Sequence, residues 1–143
     1  MSKYWIAPLL ALLAACNSTA EDGVPGDPSD SEPYSDIAED QALRLIGTEP
    51  FWGADIADGT MTYSTPENID GTSFPVTRFA GRGGLSFSGE MEGVQIDVLV
   101  TPGDCSDGMS DQVFPFNATI EIGDEQRSGC AYRDGVDDIG PPP

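Results

Sequence analysis

The chain has 143 residues, with 25 Asp and Glu against six Lys and Arg, no His and three Cys, and a formal net charge of −19, which bounds it to one small acidic domain. Such a charge repels nucleic-acid phosphates and anionic membrane surfaces, both of which are bound through Lys and Arg. Without His there is no Ser-His-Asp or Cys-His catalysis, and no zinc site that needs imidazole.

Residues Met1 to Cys16 read MSKYWIAPLLALLAAC, a lone cation at Lys3, an apolar run from Tyr4 to Leu13, then small residues before a cysteine. This is the layout of a secretory leader, and the apolar run is shorter than the roughly 20 residues a membrane span requires. Leu13-Ala14-Ala15-Cys16 resembles the lipobox of bacterial lipoproteins. That resemblance implies a signal peptide over residues 1–15, removal of it, and lipidation of Cys16 as the new N-terminus, with several acyl chains giving stable membrane anchoring. Asn17 is similar to the default for the periplasmic face of the outer membrane, because Asp at that place retains enteric lipoproteins in the inner membrane.

Ala20 to Gln41 holds eight acidic residues, three Pro, three Ser and two Gly among 22 positions, and no cation. It cannot bury enough apolar surface to offset its ordering entropy, so residues 16–41 are expected to form the lipidated cysteine and a disordered acidic linker. Asp134 to Pro143 repeats the composition and is expected to be a disordered tail.

Residues 42–133 carry the expected domain. No stretch keeps helical apolar spacing for three turns, whereas alternation recurs throughout. Strands are expected around Arg44-Gly47, Phe51-Ile56, Met61-Tyr63, Phe74-Phe79, Leu85-Ser88, Val94-Val100, Val113-Ile122 and Arg127-Tyr132, with turns at Asp58-Gly59, Asp70-Gly71, Gly83-Gly84, Glu92-Gly93 and Gly123-Asp124. The strongest, Val94 to Val100, puts Val94, Ile96, Val98 and Val100 on one face. The fold class is all-β: a small antiparallel meander closed or partly closed into a barrel, because closure removes exposed edges. A two-sheet sandwich is the alternative. With Cys16 lipidated, Cys105 and Cys130 remain as an even pair in an exported domain, and a disulfide between them is the economical reading.

Two segments stand out: Gly47-Thr48-Glu49-Pro50-Phe51-Trp52, and Cys105-Ser106-Asp107-Gly108-Met109-Ser110-Asp111 with a later Gly129-Cys130. Together they resemble a family of uncharacterised bacterial envelope proteins, often lipoproteins, with G-x-E-P-F-W and C-x-D-x-M-S-D segments and a following Gly-Cys. These proteins sometimes accompany META (heat-shock-type) lipoprotein domains. The resemblance implies an envelope role and no particular reaction.

Pro50 restricts its own φ and that of Glu49, so Glu49, Phe51 and Trp52 are delivered at a defined strand start, with the two aromatics on opposite faces. A structural role puts Trp52 in the core, with Glu49 accepting backbone hydrogen bonds; a recognition role exposes them at a mouth. Asp107, Met109, Ser110 and Asp111 likewise form either a rigid loop or a recognition loop. An EF-hand starting at Asp104 would put Met109 at its Gly position and Pro115 at its Glu position, so that calcium motif fails. No metal or cofactor is called for. The leading expectation is a non-catalytic binding module that meets another envelope protein or a small ligand. One alternative is an inhibitor of a basic partner such as a lysozyme; another is a small hydrolase using Glu49 or Asp107 as acid or base.

Overall fold

The computed structural model describes residues 32–139. The leader, the lipidation reading at Cys16, most of the acidic linker and residues 140–143 lie outside the described residues.

Eight antiparallel strands follow one another around a closed barrel, and no helix occurs among the described residues. They are β1 (Leu43–Thr48), β2 (Phe51–Ala57), β3 (Thr60–Thr65), β4 (Asn68–Ala80), β5 (Leu85–Met91), β6 (Val94–Ser106), β7 (Val113–Ile122) and β8 (Glu125–Arg133). Each pairs with its successor, and β1 closes on β8 from Leu43↔Arg133 to Ile46↔Cys130. That closure decides against the two-sheet sandwich.

Alternation sets which side of the wall each residue faces. The inward set includes Leu45, Trp52, Met61, Phe74, Phe87, Val98 and Ile120, all buried in one apolar cluster. An eight-stranded barrel is just wide enough for side chains to occupy its interior. Asp58-Gly59 and Glu92-Gly93 have positive φ at both positions, the geometry of tight hairpins whose twist matches the strands they join.

The expected turn at Asp70-Gly71 is not a turn. Both residues lie inside β4, where the register shifts between Tyr63 and Thr65 and Gly71 takes φ +77°; the chain reverses instead at residues 66–67. A bulge and a turn ask for the same residue types, because both need an unusual φ. Strand β6 also runs past its expected end at Val100 to Ser106, through a second register shift between Pro102 and Cys105. Proline is tolerated at such a bulge, so Cys105 belongs to a strand rather than to the following loop.

Two expected disordered regions contain packed residues. Ile37 is 2% exposed and joins the barrel cluster. The amide of Tyr34 donates to the Gly81 carbonyl (2.7 Å), and Arg78 Nη2 donates to the Ile37 carbonyl (2.8 Å). The boundary at residue 42 is therefore too late: two large apolar residues in an acidic run, Tyr34 and Ile37, both pack on the barrel cluster. At the other end, Asp137 takes a 2.7 Å hydrogen bond from Arg133 Nη2, and Ile139 packs on a second apolar cluster.

Candidate functional site

That second cluster consists of Cys105, Phe114 and Cys130, with Ile46, Tyr132 and Ile139 against it. Cys130 is in register with Ile46, so both belong to the outward-facing set that alternates with buried Leu45 and Ala131. Even so, Cys130 is almost wholly buried. The cover comes from the β6–β7 hairpin, which the bulge after Pro102 bends and the Cys105–Cys130 disulfide fixes (Cα–Cα 5.6 Å). The expected bridge is thus present, and it holds a loop on the outside of the barrel wall.

The loop over residues 107–112 is ordered from within. Asp107 Oδ1 accepts the amide hydrogens of Met109 (2.9 Å) and Ser110 (2.8 Å), and Oδ2 accepts the Ser110 hydroxyl (2.8 Å). These donors, the Ser110 amide foremost, hold the Asp107 carboxyl below the usual carboxylate range. Thr48 Oγ1 then donates to the Asp107 carbonyl at 2.9 Å, joining this loop to the end of β1.

Between the loop, the β1–β2 turn, the wall and the tail lies an open groove of about 680 Å³. Phe51, Trp52, Asp107, Met109 and Ser110, five of the seven candidate recognition residues, line it. Phe51 and Met109 are 53% and 68% exposed. Glu49 and Asp111 are exposed and lie off the lining. Glu49 occupies a tight turn with a cis bond to Pro50, rather than the extended strand start expected of it, and its carboxylate accepts no backbone hydrogen bond among the described residues. The two segments, about 55 residues apart, therefore share the lining of one groove and are joined by the Thr48–Asp107 hydrogen bond.

The groove also uses Ile46, Phe114, Tyr132, Asp134, Asp137 and Ile139, none of which the sequence reading selected for it. A signal was available for the tail: Val136 and Ile139 interrupt an otherwise acidic run.

Trp52 turns inward as expected and is 4% exposed. It pairs across the strands with Gly47, and a Cβ built on Gly47 would overlap the indole Nε1. A Cβ on Gly129 would overlap the Ile46 carbonyl and come within 3.0 Å of Trp52 Cζ2. The two motif glycines thus form the slot for the motif tryptophan, which explains three residues of the two segments by one packing requirement. The indole stacks on Tyr63 (centroids 6.2 Å apart), whose hydroxyl accepts from Arg127 Nη1 at 2.7 Å. Burial pushes the Tyr63 phenol up, against the opposing pull of Arg127. Trp52 Nε1 has no acceptor among the described residues.

Groups of three or more His, Cys, Asp or Glu suited to a metal ion are not found among the described residues. No family model matches the chain, and comparison with curated proteins and with solved structures finds no match.

Proposed function

We propose that the chain is an envelope-anchored lipoprotein whose barrel is a non-catalytic binding module, taking its partner in the groove where the two segments meet. The observation that carries this reading is the convergence itself: Phe51 and Trp52 from one segment, and Asp107, Met109 and Ser110 from the other, line one open groove. A largely apolar concavity with a few placed polar groups is the usual form of a binding site. Phe51 and Met109 in its lining are more than half exposed, apolar surface that a partner would cover. A second concavity, of about 330 Å³ against the core residues Ile37, Ile56, Leu85 and Phe87, is half the size of the outer groove and includes none of the seven candidate recognition residues.

Hydrolysis has less support. Asp107 spends its carboxylate on its own loop and is held below the range a general acid needs. Glu49 stands outside the groove. Anchoring through Cys16 rests on the lipobox resemblance, and a place on the periplasmic face of the outer membrane rests on Asn17.

The test is a photo-crosslinking residue at position 109 in the membrane-anchored chain, compared with one at exposed Val94, remote from the groove. A specific partner captured from position 109 and lost in Phe51→Ala supports the reading; equal capture from both positions ends it. Membrane fractionation tests the anchor, since Cys16→Ala should release the chain and its retention would sink that part.

A further inference from the structure

The barrel mouth where β1 begins and β8 ends is closed by the chain itself. Residues 34–41 run across it as a strap. The Tyr34 amide donates to the Gly81 carbonyl just after β4, Arg78 Nη2 on β4 donates to the Ile37 carbonyl, and Arg133 Nη1 on β8 donates to the Asp36 carbonyl at 3.3 Å. Strands β4 and β8 stand four apart in the closed ring, so these bonds reach opposite walls. Between them Ile37 is buried in the core cluster. Beside it lies the concavity of about 330 Å³, lined also by Ile56, Val76, Leu85 and Phe87.

Two groups at this mouth are incompletely matched. Arg78 is in register with inward-facing Phe87 and is half-buried, yet it pairs with no carboxylate among the described residues and gives its hydrogen bond to the neutral Ile37 carbonyl. Glu39 and Asp58 line the concavity from exposed positions. The Tyr34 hydroxyl is buried with no hydrogen-bond partner among the described residues, so docking the strap costs a hydroxyl that water would satisfy on release. The strap presents to the mouth an apolar side chain and, one residue's width away, an acceptor oxygen on Arg78. A ligand with the same two parts competes with it. A carboxylate outdoes the carbonyl, because its bonds to a guanidinium are charge-assisted and can be bidentate.

We propose that this mouth is a second binding site, for a short aliphatic carboxylate, and that residues 34–41 occupy it when the ligand is away. The carboxylate takes Arg78 from the Ile37 carbonyl, the aliphatic chain enters where Ile37 sits, against Ile56, Leu85 and Phe87, and the strap lifts off. The site shares no lining residue with the outer groove, so it stands whether or not the groove reading holds.

The probes are octanoate, octanol and octylamine, titrated calorimetrically into the full chain near neutral pH. Octanoate should bind best. It should also quicken hydrogen exchange at the Tyr34 and Gln41 amides, which the docked strap bonds to the Gly81 and Ala38 carbonyls, while the β6–β7 ladder keeps its protection. Ile37→Ala removes the competing side chain and should bind octanoate about tenfold more tightly, since the open state becomes common. Arg78→Gln keeps a donor for the strap and loses the charge, so the preference for octanoate over octanol should fall about tenfold, the worth of a charge-assisted bond. Glu39→Gln/Asp58→Asn removes the rim acids that oppose an anion and should tighten octanoate while leaving octanol unchanged. Calorimetric unfolding shows which variants are folded; if Ile37→Ala is not, the parent and Arg78→Gln decide. No binding of octanoate, equal affinity for the three probes, strap amides whose exchange stays unchanged on binding, or an octanoate preference that survives Arg78→Gln overturns the proposal. So does binding that Phe51→Ala weakens and Arg78→Gln leaves alone, which would place the ligand in the outer groove.

Discussion

Thr48 donates its hydroxyl to the main-chain carbonyl of Asp107 across 2.9 Å and 59 residues of sequence. This bond fastens the β6–β7 loop to the end of β1, and it closes one side of the groove with groups from both segments. Replacing Thr48 by Val keeps the β-branched shape and removes the donor. Stability should fall by about 1 kcal/mol, the usual net worth of such a bond, with loop residues 107–112 gaining amide-hydrogen exchange while the β4–β5 pair stays protected. Unchanged exchange in the loop would show that the disulfide alone holds it.

The Cys105–Cys130 bridge joins positions 25 apart. By the loop-entropy argument its removal as a Ser/Ser pair should cost roughly 3 kcal/mol. The barrel's own ladder does not need it, so far-ultraviolet dichroism should persist while proteolysis begins within residues 107–112. Intact mass with and without reductant should reveal one bridge, and two freely alkylated thiols in the unreduced protein would refute it.

Gly47→Ala places a methyl where Trp52 Nε1 sits. Overpacking of this kind costs about 1–3 kcal/mol, and the indole must shift, so Trp52 emission should move together with the unfolding midpoint. Gly59→Ala is the informative contrast: no atom lies within 4 Å of its Cβ position, although its φ of +72° adds backbone strain, so stability should fall there without an emission change.

Ile37→Ala removes a residue from the barrel cluster. Deleting an Ile side chain from a core costs about 2–5 kcal/mol, so a clear fall in denaturant midpoint is expected. A fall below about 0.5 kcal/mol, typical of an exposed site, would return residues 34–41 to the linker.

Asp137 is held below the usual carboxylate range, chiefly by its hydrogen bond from Arg133. A folded-state value below the unfolded one gives stability that is complete above the unfolded value, about 3.9, and is lost as pH falls through the folded value. Asp137→Asn should therefore lower the urea midpoint at pH 7 and narrow the difference between variant and parent below pH 4. A difference independent of pH would mean that the charge contributes nothing.

How much of this was legible in the sequence differs by element. Val94 to Val100 announced its strand through strict alternation, and Asp58-Gly59 its turn through residues that tolerate positive φ. Asp70-Gly71 carries the same residue types and marks a bulge, because local chemistry states that the backbone bends without stating what it pairs with. Trp52 was expected inside; that Gly47 and Gly129 form its slot follows from register, which no spacing in the chain displays.

The sequence by itself determined an acidic, His-free chain of β-type alternation, with a leader-like start, two cysteines outside it and two distinctive segments. Those are properties of composition, alternation and local φ preference, readable one neighbourhood at a time. The tertiary structure alone decided that the barrel closes, that Ile37 and Ile139 belong to its packing, and that a disulfide-pinned hairpin brings Asp107 to Thr48. Each of these is a contact between residues far apart in the chain, fixed by strand register and by the area that closure and a folded-over hairpin bury together.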